Sequence, residues 1–203
     1  MIDRRLRVAK DLVVGPVAAR MAGRVHPMLL TLFAFLAGVG GGVAAGFGLR
    51  RTAVAVWLIG RVFDGLDGAV ARRSGRHSDL GGYLDMLGDT IGYTAVPIGI
   101  AVSQDDTIVW IACAVLLASF YVNTVSWTFL AAIAEKRGSG AIEQGERTTI
   151  HMPAGLIEGA ETIVLFTLML AVPGGAAELF LAMAALVAVT IGQRVAWAVR
   201  NLS

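Results

Sequence analysis

Apolar stretches recur along this chain, separated only by short polar breaks. They fall over residues 28–48, 52–72, 81–103, 107–133, 154–172 and 176–198. Each is close to the roughly 20 residues a helix needs to cross about 30 Å of hydrocarbon. The breaks contain helix-ending residues: Gly46 and Gly48 before Arg50 and Arg51, Ser74 with Gly75, the run from Ser103 to Asp106, the run from Arg137 to Gly145, and Pro173 with Gly174 and Gly175, which are turn and loop signals. The pattern predicts an all-α polytopic membrane protein with six transmembrane helices.

Residues 1–25 differ from the rest. Ile2, Leu6, Val13 and Val17 recur at near-helical spacing with Arg4, Arg5, Arg7, Lys10, Arg20 and Arg24 between and beyond them. That pattern predicts an amphipathic interfacial helix on an anionic leaflet; a solvated basic tail is the alternative. So many dispersed charges leave no clean apolar core for a cleavable signal, so this segment is expected to be retained.

Composition agrees with the pattern. Of 203 residues, 56% are apolar and 16% charged, against roughly 25% charged in ordinary soluble domains. No polar linker divides the chain, so residues 1–203 are expected to form a single domain, with an interfacial helix over 1–25 and a six-helix bundle over 26–203. The lone cysteine, Cys113, rules out an internal disulfide framework and a thiolate metal site.

Charge sets the expected orientation. Of the 17 Lys and Arg residues, six precede the first span, and three each lie in the connections around Arg72 and Arg147. Two more close the last span, whereas the opposite side has only Arg50 and Arg51. The positive-inside rule then places both termini in the cytoplasm of a cell-membrane protein.

Charged residues inside a span are costly and point to function. Here they concentrate in DGLDGAVARRSGRHSDLGGYLDMLGD, from Asp64 to Asp89. At about 100° per residue, Asp64, Asp67 and Ala71 share one helical face, as do Gly81, Asp85 and Asp89 on the next helix. Two carboxylate pairs can therefore meet across one helix hairpin, roughly 9–15 Å below the cytoplasmic interface at about 1.5 Å per residue.

Four such carboxylates cannot all stay ionised in a low dielectric; either some are protonated or cations neutralise them. Hard, oxygen-seeking cations fit best: two Mg2+ or Mn2+ ions would balance the charge and could also grip a pyrophosphate. The absence of histidine and cysteine from the cluster argues against zinc. Gly68 and Gly81 would let a nucleotide approach the backbone, or else allow close helix packing. Arg72, Arg73 and Arg76 offer forked donors for phosphate at the cytoplasmic mouth, or serve as positive-inside anchors.

These residues resemble a known family. Asp64, Asp67, Gly68, Ala71, Arg72, Gly81, Asp85 and Asp89 fill every fixed position of D-x2-D-G-x2-A-R-x8-G-x3-D-x3-D, the signature of the CDP-alcohol phosphotransferases. The similarity extends to size and to a layout of one interfacial helix and six membrane helices, and it implies a homodimer. It implies that Asp64, Asp67, Asp85 and Asp89 hold a metal pair, that Asp89 is also the catalytic base, and that Gly68, Ala71 and Arg72 contact the CDP group. Ser78 stands where relatives use a hydroxyl for the donor phosphates. One position departs: many relatives carry Pro-Asn entering the first span, where the amide helps hold cytosine, but Pro27 is followed by Met28.

The expected reaction transfers a phosphatidyl group from CDP-diacylglycerol to a small alcohol, a polyol, polyol phosphate or serine, and releases CMP. The alternative is headgroup transfer from a CDP-amino alcohol to a lipid alcohol. A cation or proton-coupled transporter is a remote third reading, disfavoured because the acids cluster in one hairpin without inverted repeats. Membrane lipids are expected partners and nucleic acid is not. For the acceptor, Glu158 and Glu161 sit at i, i+3 in GLIEGAETIVLF and are candidate pocket residues, with Arg147 able to reach a phosphate. Pairing of one of these acids with Arg61 is the structural alternative.

Overall fold

A computed structural model describes residues 14–138, 155–157, 159–172 and 174–202. Residues 1–13, and with them most of the expected interfacial helix, lie outside that description, as do Arg147 and Glu158. The described residues contain only helices joined by turns. Residues 14–21 are helical and are termed α1. Then come α2 (Pro27–Gly46), α3 (Arg50–Ser74), α4 (Asp79–Gln104), α5 (Thr107–Lys136), α6 (Gly159–Ala171) and α7 (Ala176–Leu202).

The predicted breaks act as caps. Gly75 ends α3 in the left-handed region at φ 64°, a conformation glycine adopts without a Cβ penalty. The Ser78 hydroxyl accepts the Gly81 N–H at 3.1 Å at the start of α4, satisfying one of the orphan donors of a helix N-terminus. Asp105 turns the chain at φ 46°, and Asp106 then accepts the N–H groups of Ile108 and Val109 at 2.7 and 3.1 Å.

α2, α5 and α7 are each long and apolar enough to cross a membrane. α3 and α4 have the length but carry the charged motif. α6 has 13 residues, about 20 Å at 1.5 Å per residue, and starts five residues later than the hydropathy predicts. The cause is a tertiary bond: the Ile157 N–H is donated to the Thr190 hydroxyl on α7 at 3.0 Å, which holds residues 155–157 outside the helix.

α2 packs on both α3 and α4, α5 on α7, and α6 on α3. The α2–α4 seam is lined by Gly38 and Gly42 against Gly92, Ala95 and Gly99, and a Cβ on Gly99 would collide with the Gly42 carbonyl. Small residues at this spacing let membrane-helix backbones approach closely. The seam brings the N-terminal end of α2 beside the acidic turns of α3 and α4. The larger core centres on Trp57, Leu116, Phe166, Phe180 and Met183. A smaller one joins α1 to the bundle, with Ala18 fully buried among Leu30, Leu66 and Val70. On α1 the packed positions are Val14, Ala18 and Met21, while Val17 is exposed.

Candidate active site

α3 and α4 are joined through the turn at residues 75–78 and both pack on α2, so acids from the C-terminal part of one and the N-terminal part of the other can meet. Asp64 and Asp67 on α3 and Asp85 on α4 each point an oxygen into one cluster, all within 4.8 Å of one another. Asp67 is the most enclosed, 5% exposed, and its Oδ2 accepts the Thr31 hydroxyl of α2 at 2.7 Å.

Asp89, one turn deeper, has a different partner. Arg61 Nη1 donates to Asp89 Oδ1 at 2.7 Å and also meets the Tyr93 hydroxyl at 3.3 Å. The Arg61 guanidinium lies 4.7 Å from the Trp57 ring centroid and 5.4 Å from that of Tyr93. The indole stacks in turn on Phe166 of α6 at 5.2 Å. Arg61, the suggested partner for Glu158 or Glu161, pairs with Asp89; Glu158 lies outside the described residues.

Above the cluster opens a cavity of about 590 Å³. Its floor includes Asp67 and Asp85, and its walls include Gly68, Ala71, Arg72, Ser78 and Gly81. His26, Pro27 and Met28 at the start of α2, Arg76 in the turn, and Trp127 and Thr128 on α5 complete it. Two helix N-termini, those of α2 and α4, and two arginines therefore line the mouth, a combination that favours anions, while carboxylates line the base. Arg73 lies elsewhere: its guanidinium reaches the space beside Gly15 on α1.

The motif glycines have a local role as well. A Cβ at Gly68 would stand 3.1 Å from Arg72 Nη1, and one at Gly81 would stand 3.2 Å from Ser78 Oγ. Both glycines leave room for motif side chains to take their places in the cavity wall.

The residues considered for an acceptor are not all in this cavity. Glu161 is half-buried in the first turn of α6 and does not line it. On α5, Trp127 lines it, whereas Asn123 accepts a hydrogen bond from Arg194 of α7 and ties those helices together.

Three residues escaped the sequence reading. Thr31, Arg61 as the partner of Asp89, and Arg194, which is 5% exposed, are all polar side chains within apolar stretches. For the two arginines that position was itself a signal, since an intramembrane cation requires a partner.

Comparison with known proteins agrees with the geometry. The family model described as CDP-alcohol phosphatidyltransferase matches residues 24–200. The inner membrane protein YnjF of Escherichia coli K12 is 34% identical over 169 residues, 83% of this chain and 81% of that protein. The fold is similar to crystal structures of the Mycobacterium tuberculosis phosphatidylinositol phosphate synthase PgsA1. One, with CDP-DAG bound, has a TM-score of 0.69 at 23% identity and covers 91% of this chain and 92% of that one. Another, in complex with manganese and citrate, has a TM-score of 0.68 at 23% identity, covering 90% and 87%. With the family match spanning most of its length and the acidic motif folded around one cavity, this chain is a transferase of the CDP-alcohol phosphatidyltransferase family.

Proposed function

We propose that this protein is an integral membrane enzyme that moves a phosphatidyl group from CDP-diacylglycerol to a small alcohol at the cytoplasmic face, releasing CMP. The observation that carries this reading is the convergence of Asp64, Asp67 and Asp85 at the base of a cavity whose mouth carries Arg72, Arg76 and two helix N-termini. Such a cavity suits a ligand with an anionic phosphate end. Six crossings, α2 to α7, are supported by the alternation of these helices, since the α5 and α7 C-termini meet where Arg137 donates to the carbonyls of Asn201 and Leu202.

The donor set fits a hard divalent cation. It is all oxygen, within 4.8 Å, and three like charges at that distance in a poor dielectric need neutralising. Asp64, Asp67 and Asp85, with Asp89 beside them, would hold two Mg2+ or Mn2+ ions. When bound, these would polarise the donor pyrophosphate and stabilise the departing CMP oxygen.

The remaining work falls to side chains. Arg72, Arg76 and the capped start of α4 at Ser78 hold the donor phosphates, with Gly68, Ala71 and Gly81 shaping the wall. Asp89 takes the proton of the acceptor hydroxyl as its oxygen bonds to the phosphatidyl phosphorus and the bond from that phosphorus to CMP breaks. Glu158, Glu161 and Arg147 are the candidates for selecting the acceptor.

The test is a reconstituted assay with labelled CDP-diacylglycerol, Mg2+ or Mn2+, and serine, inositol, inositol phosphate and glycerol phosphate as acceptors. Metal-dependent CMP release with at least one acceptor is expected, with Asp89→Asn lowering turnover about 10²- to 10⁴-fold. CMP release that survives thorough chelation would overturn the reading.

A further inference from the structure

The Arg61–Asp89 pair is more enclosed than an ordinary helix tie. Arg61 is 9% exposed and packs over the adjoining rings of Trp57 and Tyr93, whose centroids are 5.8 Å apart, with Phe166 stacked on the indole. Its Nε finds no hydrogen-bond partner among the described residues. A buried guanidinium packed on two aromatic rings keeps its charge and is restricted in orientation. Among the described residues it forms an ion pair with Asp89 Oδ1, at 2.7 Å.

Geometry assigns a consequence to each half of the contact. Arg61 stands one turn before Asp64 on α3, and Asp89 one turn after Asp85 on α4, so the pair flanks the three-carboxylate cluster. One Asp89 oxygen is engaged by a buried donor packed on two aromatic rings, which restrains the orientation of the carboxyl group. The positive charge of Arg61 offsets part of the negative charge that the four acids can carry. A site without Arg61 would therefore attract divalent cations more strongly.

We propose that Arg61 is a positioning residue for Asp89: its guanidinium, packed over Trp57 and Tyr93, fixes the orientation of the carboxylate that takes the proton of the acceptor hydroxyl. This rests on the transfer reaction proposed above, in which Asp89 is the base. A misplacement of about 1 Å in a reacting group costs on the order of 10²-fold in rate, so the size of the effect is set by alignment, not by donor affinity.

The test uses full-length protein in vesicles, comparing Arg61→Gln and Arg61→Lys with the parent by three readings. These are kcat and KM for CDP-diacylglycerol, Mn2+ affinity from the EPR signal of free Mn2+ without substrate, and thermal unfolding in chelator. For Arg61→Gln, kcat is expected to fall on the order of 10²-fold, with KM for the donor within threefold and Mn2+ bound severalfold more tightly. Arg61→Lys keeps the charge but loses the fork and the stacking; its Mn2+ affinity should stay near that of the parent, and its kcat should fall between the other two.

Near-parental kcat in Arg61→Gln overturns the proposal. So does a parallel loss of kcat, Mn2+ affinity and thermal stability in both variants, the signature of a purely structural tie. If Arg61→Gln does not fold, Arg61→Lys decides: kcat within threefold of parent, or Mn2+ affinity falling with kcat, overturns the proposal. Failure of the underlying reading looks different, since Asp89→Asn would then turn over normally or the parent protein would bind no Mn2+.

Discussion

The hydroxyl of Thr31, one turn into α2, donates to Asp67 Oδ2 on α3 at 2.7 Å. This bond ties a helix outside the signature to its most buried carboxylate and fixes which Asp67 oxygen faces the cluster. Groups that orient metal-binding carboxylates typically contribute 10- to 100-fold in affinity or activity. Thr31→Val is close in shape but removes the donor, and it should lower metal-dependent CMP release by that factor. Thr31→Ser restores the hydroxyl and should recover most of it. Equal activity of the Val and Ser variants would show that the bond has no part in catalysis.

Three carboxylates held within 4.8 Å repel one another when they are ionised and no cation is present. Asp85→Asn removes one of those charges without changing the shape of the site. In chelator the variant should unfold at a higher temperature than the parent, by about 2–4 °C for each kcal/mol of relieved repulsion, while its metal-dependent turnover falls to background. Thermal melts with and without Mn2+ check both signs. A lower melting temperature in chelator would mean that Asp85 is a structural hydrogen-bond partner and not part of a charge cluster.

The helix order and most helix ends were legible because the breaks carry their own chemistry. Gly75 can take the left-handed turn that ends α3, and the side chains of Ser78 and Asp106 cap the next two helices. The start of α6 was not legible, because it depends on the Thr190 hydroxyl capturing the Ile157 N–H across 33 residues. Within the site, periodicity placed Asp64, Asp67 and Asp85 on facing turns. It was silent on Thr31 and on the Arg61–Asp89 pair, whose partners are 36 and 28 residues apart. Such contacts follow from how α2, α3 and α4 dock, and the glycine seam that sets their docking reads in sequence only as a run of small residues.

The three arginines at the end of α3 and in the turn after it divide by direction. Arg72 and Arg76 line the cavity, whereas Arg73 turns to α1 beside Gly15. If the first two grip donor phosphates, Arg76→Gln should raise the KM for CDP-diacylglycerol about tenfold, the loss of one charge-assisted contact of roughly 1.5 kcal/mol. Arg73→Gln should leave it within about twofold, as surface charges contribute little. Steady-state kinetics in vesicles separate the two, and equal effects would argue for a general electrostatic attraction to the mouth.

The seam between α2 and α4 should be the least tolerant surface in the bundle. A Cβ on Gly99 meets the Gly42 carbonyl, a backbone atom that cannot swing aside, whereas a Cβ on Gly46 finds its nearest neighbour at 3.7 Å, an ordinary contact. Overpacking of this kind typically costs 1–3 kcal/mol, so Gly99→Ala should lower the unfolding temperature of the detergent-solubilised protein by several degrees, while Gly46→Ala should not. Because the seam also sets how Thr31 meets Asp67, Gly99→Ala should lose activity in step with Thr31→Val even at temperatures where it remains folded. Full activity in folded Gly99→Ala would show that the α2–α4 docking distance can relax without disturbing the carboxylates.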